Sequence, residues 1–471
     1  MALSIDKYPE FKASLLALSR ELVNHIKSSW KRDWAQYPPK IGFHYNFWDI
    51  KELPSYKTTI IELSKVPSIN EKYSEDLLIK PVDAFLEIII NTLPNPLFVD
   101  KAFKYWWKQF LNFIDAKTVP IKLYIGLSNF DSDKAEYRLD NETKIFFYDK
   151  LSLAGALRNS IHVPLPNPFP STGLPLHMIP GAIQVEFSCP ADRNTLEYGK
   201  YSHECIDRML LLVNALRLST FGRLIVGPWI PICNPAFPVD GVRAISSPED
   251  RERFNEPKFH LDGCGWLRFT RIYRHLKRLQ EDDKNNLNDG SAIRRRFTST
   301  ISRFVDTFDK GYWESAVVDL VIIMESILTP DKRGGRMPLA LAASNILGTN
   351  AEEAKEIFDN VSKMYNIRNS NVHGEPSTTE TWEDCILEIA KIAGSTATNL
   401  DNGTREYAFE VMRDYARRSI TAMLNLYYNV GKTPSDGLTS DLQRLHLDKE
   451  LRKSILSKAN CYHLSSRPKP P

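Results

Sequence analysis

The chain has 471 residues, 42% of them hydrophobic and 25% charged, with a formal net charge of +3. That length can bury a large core and predicts about two to four domains, while the composition excludes a disordered chain. So small a net charge also excludes attraction of nucleic acid by the molecule as a whole, and any RNA site must be a local basic surface.

Residues 1–115 read as a helical region rich in aromatics, among them Trp30, Trp34, Trp48, Trp106 and Trp107. Its first dozen residues mix acidic and basic side chains and have no signal-peptide core. The apolar run 84–93 is interrupted by Glu87 and is too short to span a bilayer. Residues 116–280 read as a mixed α/β region. Within it 121–125, 144–148 and 182–188 have strand character, and 201–219 reads as a long helix. The proline-punctuated stretches 163–170 and 227–238 read as connector and loop. Six cysteines (Cys189, Cys205, Cys233, Cys264, Cys385 and Cys461) are widely scattered, which predicts reduced thiols and a cytoplasmic protein.

The polar, turn-forming stretch 281–291 predicts a linker. After it, 292–430 reads as helical, and 431–471 as a further helix and a proline- and lysine-bearing tail. The predicted class is therefore α+β, mainly helical, with a mixed N-terminal part and a C-terminal helical bundle. Arg294, Arg295 and Arg296 open the bundle, either as a solvated basic turn or as a contact for an RNA backbone. Apolar residues at 316, 317, 320, 323, 324, 327 and 328 then repeat with helical period and lead past Glu325. A small-residue helix from Arg336 is stopped by Gly348. Thr349 or Asn350 with Glu352 or Glu353 three residues on makes a capping-box start for a third helix. That helix carries Ile357, Phe358, Val361, Met364 and Tyr365 on one side, and Gly374 and Pro376 end it.

The third helix runs into Arg368, Asn369 and His373. A guanidinium neutralises a phosphate through a fork of hydrogen bonds, and an imidazole moves protons near neutral pH. The spacing alone decides nothing, because Arg20 and His25 repeat it in an ordinary amphipathic segment. Five residues on a helix also amount to about 140° of rotation, so Arg368 and His373 share no face of a regular helix. They converge only if the helix unwinds over 370–373 or if a second subunit completes the site. Asn369, four residues before His373, can orient the imidazole or bind a phosphate oxygen. His203, Glu204 and Cys205, and His260 with Cys264, are zinc-ligand types without paired spacing, and read as ordinary histidines and buried thiols. No Walker loop, dinucleotide glycine fingerprint or Gly-x-Ser-x-Gly elbow occurs, and no cofactor or metal is expected.

Three pieces in this order resemble the Apea-like branch of the HEPN superfamily over about residues 292–430. They are Val-Asp-Leu-x-Ile-x-Met-Glu ending at Glu325, a small-residue helix ending in Leu347-Gly348, and Tyr-x-x-Arg-Asn-x-x-x-His-Gly from Tyr365 to Gly374. The resemblance implies a helical bundle that pairs as a homodimer and a metal-free endoribonuclease regulated as a toxin or anti-phage effector. It implies catalytic roles for Arg368, Asn369 and His373, with Glu325 holding the arginine in place. Cleavage would proceed by attack of the RNA 2′-hydroxyl, leaving a 2′,3′-cyclic phosphate. The substrate would be RNA such as tRNA or mRNA, with no membrane partner, and the 290 residues upstream would sense a phage-derived trigger or a regulatory protein. A non-catalytic RNA-binding or dimerisation scaffold, or a regulatory partner acting through the N-terminal region, remains the alternative.

Overall fold

The computed structural model describes residues 7–29, 48–92, 100–148, 179–196, 203–233, 257–285, 292–308, 312–329, 335–373, 381–430, 450 and 453–454. The sequence features at 163–170, 286–291 and 374–376, and nearly all of 431–471, lie outside these residues. The described chain is mainly helical with a small antiparallel sheet, an α+β class. No helix in it is long and apolar enough to cross a membrane. It forms two compact units, Met1–Ser128 with Ala135–Asp207 and Val226–Ile245, and Asn129–Lys134 with Arg208–Ile225 and Ser246–Pro471.

The first unit begins with helices α1 (Pro9–Ser29), α2 (Trp48–Lys51), α3 (Pro54–Ser64), α4 (Pro67–Asn70), α5 (Ile79–Thr92) and α6 (Asp100–Asp115). In α6 the residues Phe103, Trp107, Phe110, Leu111 and Ile114 recur at helical spacing, and all are buried. Their rings interlock with Phe85 of α5, which meets Phe103 edge-on at 5.5 Å and Phe110 at 5.3 Å. Such pairs add specificity to an aromatic core beyond the area they bury.

The sheet of this unit contains β1 (Thr118–Ser128), β3 (Glu136–Arg138), β4 (Thr143–Phe147), β5 (Gly181–Pro190) and β6 (Ile225–Cys233), in the order β3-β4-β5-β1-β6. Strand β5 pairs antiparallel with β1, Thr118 lying opposite Pro190 and Leu127 opposite Gly181. The strands expected at 121–125, 144–148 and 182–188 are present. The region 227–238 was expected to be loop, yet its first part is strand β6. Pro228 and Pro231 suggested a loop, but β6 lies at the edge of the sheet, where a strand tolerates residues that cannot donate to a ladder.

Asp83 of α5 is largely buried, and its Oδ1 has no hydrogen-bond partner among the described residues. Burial pushes its carboxyl up from 3.8 to about 7, against a pull downward from Lys51. Between those two values the folded chain holds a proton that the unfolded chain has released. Stability from this group is therefore full at acidic pH and is lost as pH rises through about 7. Asp83→Asn should raise the thermal midpoint at pH well above 7 and leave it nearly unchanged at or below about pH 4. An equal shift at both pH values would exclude this titration as the cause.

The second unit pairs β2 (Phe130–Ser132) in parallel with β7 (Phe259–Leu261). Its helices include α9 (Gly263–Asn285), α10 (Ala292–Asp306), α11 (Trp313–Leu328), α12 (Arg336–Leu347), α13 (Ala351–His373), α14 (Trp382–Ile392) and α15 (Asn402–Val430). The short helix α7 (Arg193–Leu196) and the helix α8 (His203–Arg217) precede them in the chain. The stretch 281–285, expected to open a linker, is the end of a helix. Helix α9 runs on to Asn285, and its residues belong to the same unit as α10–α15. The charged end of a helix can have the same composition as a linker, and composition alone cannot separate them.

Helix α15 is the axis of this unit, packing against α11 and α14, with every residue from 407 to 426 buried. Several of its polar residues find partners inside the core. Arg417 donates to Glu410 Oε1 at 2.6 Å, to Asp414 Oδ1 at 3.1 Å and to the carbonyl of Arg217 at 2.7 Å. Arg413 pairs with Glu410 and lies 4.4 Å from the rings of Phe308 and Phe409. Arg418 donates to the carbonyl of Leu347 at 2.7 Å, capping α12 from outside. Tyr415 receives a bond from Asn360 at 2.8 Å and donates to Glu356 at 2.9 Å, both on α13.

Gly348 sits where α12 turns into α13. A Cβ there would lie 2.6 Å from the Cα of Ala354 and 2.7 Å from the carbonyl oxygen of Ser344. Both neighbours are backbone and cannot swing away. Gly348→Ala should therefore destabilise the protein by about 1–3 kcal/mol through overpacking. An unchanged denaturant midpoint would show that the two helices do not approach this closely.

Candidate active site

Helix α11 presents the stripe read from its sequence, with Ala316, Val317, Leu320, Ile323, Met324, Ile327 and Leu328 all buried. Glu325 lies on the opposite, half-exposed side near the C-terminal end. Helix α13 starts on a reciprocal cap. Asn350 Oδ1 accepts the backbone N–H of Glu353 at 2.9 Å, and the Glu353 carboxylate reaches back to the N–H and hydroxyl of Thr349. Ile357, Val361, Met364 and Ile367 anchor the helix in the core, which fixes how its last two turns are aimed.

Those turns and Glu325 build one cluster. The Tyr365 hydroxyl lies near enough to the Glu325 carboxylate to feel its charge. Its pKa is raised above 10.0, first by burial and then by the Glu325 charge, with Arg368 opposing. Three residues on, the guanidinium of Arg368 lies 5.5 Å from the centre of the Tyr365 ring. Arg368 Nη1 donates to Asn369 Oδ1 at 3.0 Å. Its Nε is buried without a hydrogen-bond partner, and no carboxylate lies within ion-pair distance of it among the described residues. The guanidinium is thus held on an aromatic ring and an amide, with no ion pair among the described residues.

The sequence-predicted residues fare differently. Arg368, Asn369 and Glu325 come together around Tyr365, with no ion pair between Glu325 and Arg368. Asn369 spends its carbonyl on Arg368, which leaves its NH2 group as the available donor. Of the two routes to convergence, unwinding over 370–373 does not occur, because α13 is helical through His373. The intrahelical hydrogen-bond ladder satisfies backbone groups that an unwound turn would leave open. Position 373 therefore stays about 140° around the axis from Arg368. It falls within about 40° of positions 366, 369 and the line between them. The side chain of His373 lies outside the described residues.

The basic trio at the start of α10 is helical and not a turn. Steps of about 100° fan its members apart. Arg294 is buried and unfit for a surface RNA contact, Arg296 is half-buried, and Arg295 is exposed. Of the zinc-ligand types, His260 pairs with Asp131 at 3.2 Å and Cys264 is exposed. Among the described residues no three His, Cys, Asp or Glu side chains gather as a metal-ligand set.

No family model, curated protein or solved structure matches the chain. The site must be read from its own chemistry. Two contributors were missed at sequence level. Tyr365 looked like a core residue of the apolar side, yet its i, i+3 relation to Arg368 was the available signal for a cation–ring pair. Arg336 opens α12 and donates to Asn366 Oδ1 at 3.4 Å, a contact between residues thirty apart that no local pattern reveals. Ser370 tightens the same turn by donating to the carbonyl of Asn366 at 3.2 Å.

Proposed function

We propose that the chain is a metal-independent endoribonuclease of the HEPN type, regulated as a toxin or anti-phage effector in the cytoplasm. The observation that carries this reading is the Arg368 guanidinium, half-buried on Tyr365 and lacking a carboxylate partner among the described residues. An arginine so placed is open to an anion, and a phosphodiester is the anion that its fork fits.

In this mechanism the RNA 2′-oxygen attacks the adjacent phosphorus in line as its proton passes to a base. The bond from phosphorus to the 5′-oxygen breaks, and that oxygen takes a proton from an acid. The products are a 2′,3′-cyclic phosphate and a 5′-hydroxyl. Arg368 stabilises the charge that builds on the phosphoryl oxygens. The NH2 group of Asn369 donates to one of them. His373 serves as one of the two proton carriers. Its place around the helix from Arg368 favours a homodimer, in which the second histidine comes from the other copy. Glu325 is a positioning residue acting through Tyr365. RNA such as tRNA or mRNA is the substrate, and residues 1–290 sense a phage-derived trigger or a regulatory protein.

Purified protein incubated with end-labelled total RNA in EDTA, beside His373→Ala, tests the reading. Cleavage by the unaltered protein alone, leaving cyclic-phosphate ends, is the expected result. Equal cleavage by the variant removes His373 from the mechanism. Binding of RNA without cleavage under any trigger would favour the scaffold alternative.

A further inference from the structure

Helix α9 carries Arg271, Arg274, Lys277 and Arg278 on its outward side. Steps of three and four residues keep Arg271, Arg274 and Arg278 on one face, and seven residues span about 10 Å along the axis. Arg274, Lys277 and Arg278 are exposed and Arg271 is half-buried. The inward side is apolar, with Phe269, Ile272, Tyr273, Leu276 and Leu279 buried.

This row is braced from beneath. Arg278 lies 5.0 Å over the ring of Tyr428, which stacks on His275 with centroids 4.9 Å apart and planes 7° from parallel. His275 Nε2 is 3.1 Å from Asn425 Oδ1 on α15. Arg274 Nε donates to the carbonyl of Thr270 at 3.2 Å, which sets the direction of its stem. The His275 ring reports the local field. Its pKa is held down to about 4, first by burial, with Arg271, Arg274 and Arg278 each adding to the effect against an opposing hydrogen bond to Asn425. Lys277 does meet a carboxylate, Glu281 at 3.9 Å, in an exposed pair that is worth little.

We infer that this face of α9 binds the phosphodiester backbone of single-stranded RNA, with Arg271, Arg274 and Arg278 as the phosphate contacts. The inference rests on the reading of RNA as substrate and moves its binding surface from the trio at 294–296 to α9. Guanidinium groups in a row match successive phosphates and carry no base preference. A lipid surface is the poorer fit. An interfacial helix turns an apolar face outward, whereas α9 shows one large exposed apolar residue, Leu267, beside its basic row.

The test is fluorescence anisotropy with a labelled single-stranded 2′-O-methyl RNA oligonucleotide, which binds but offers no 2′-hydroxyl for cleavage. Arg274→Ala/Arg278→Ala should weaken binding by about tenfold or more at low salt. The slope of log affinity against log salt should fall by about 1.4, since each lost contact to a single strand removes about 0.7. Arg274→Lys/Arg278→Lys should keep most of the slope. Unchanged affinity and slope in the alanine variant would overturn the inference, as would absence of binding by the unaltered protein. Preferential binding to phosphatidylserine vesicles through the same arginines would overturn it in favour of a membrane. Because the probe cannot be cut, RNA binding through α9 would stand even if the nuclease reading failed, and the reverse also holds.

Discussion

Arg368→Ala is expected to lower RNA cleavage by about 10²–10³-fold, the usual loss when one donor to a developing phosphoryl or oxyanion charge is removed. Its unfolding midpoint should stay close to that of the unaltered protein. The guanidinium makes one hydrogen bond to a neighbouring amide and a ring contact, and has no ion pair among the described residues to forfeit. Arg368→Lys should recover little, because a point charge lacks both the planar stack on Tyr365 and the bidentate fork. Tyr365→Phe separates positioning from chemistry. It keeps the ring beneath Arg368 but removes the hydroxyl that faces the Glu325 charge, so a modest fall in kcat with intact RNA affinity is expected. A structural role alone would predict the opposite pattern, with Arg368→Ala lowering stability and leaving the cleavage of folded protein unchanged.

Arg417→Ala should be the most damaging substitution to the fold, costing about 3–5 kcal/mol by leaving buried charges without their partner. Arg417 is fully buried and joins Glu410, Asp414 and the carbonyls of Arg217 and Gly222. Glu410 is held in turn by Arg413 and by the N–H of Gly222 at 3.2 Å. Glu410→Gln should be severe for the same reason. Joining the two changes should cost less than their sum, because each removes the charge that the other leaves stranded. Chemical denaturation read on the second unit measures this. Strict additivity would mean that the two groups do not interact.

Where local pattern decides structure, the sequence was readable. The stripe of α11, the stop at Gly348 and the alternating strands β1, β4 and β5 depend on neighbours a few residues apart. Where long-range pairing decides, it was not. Glu410, Arg413, Asp414, Arg417 and Arg418 fall within nine residues and have the composition of a solvated helix face, yet all are buried. Their partners come from α8, α12 and the turn at Gly222, far away in the chain. Strand β6 was hidden by Pro228 and Pro231, whose acceptability depends on its place at the sheet edge. In the candidate site the charged residues were legible as types, whereas Tyr365 as a platform and Arg336 as a neighbour required the packing of α11 and α12 against α13.

The nuclease reading stands or falls on the attacking group. RNA carrying a single 2′-deoxy nucleotide at a mapped cleavage position, beside the all-ribose strand and in EDTA, measures this directly. The 2′-hydroxyl mechanism predicts that cutting at that bond disappears while neighbouring all-ribose sites are still cut. Cutting of the substituted bond at an undiminished rate would mean that water, not the 2′-oxygen, is the nucleophile, and the roles given to Arg368 and His373 would be wrong.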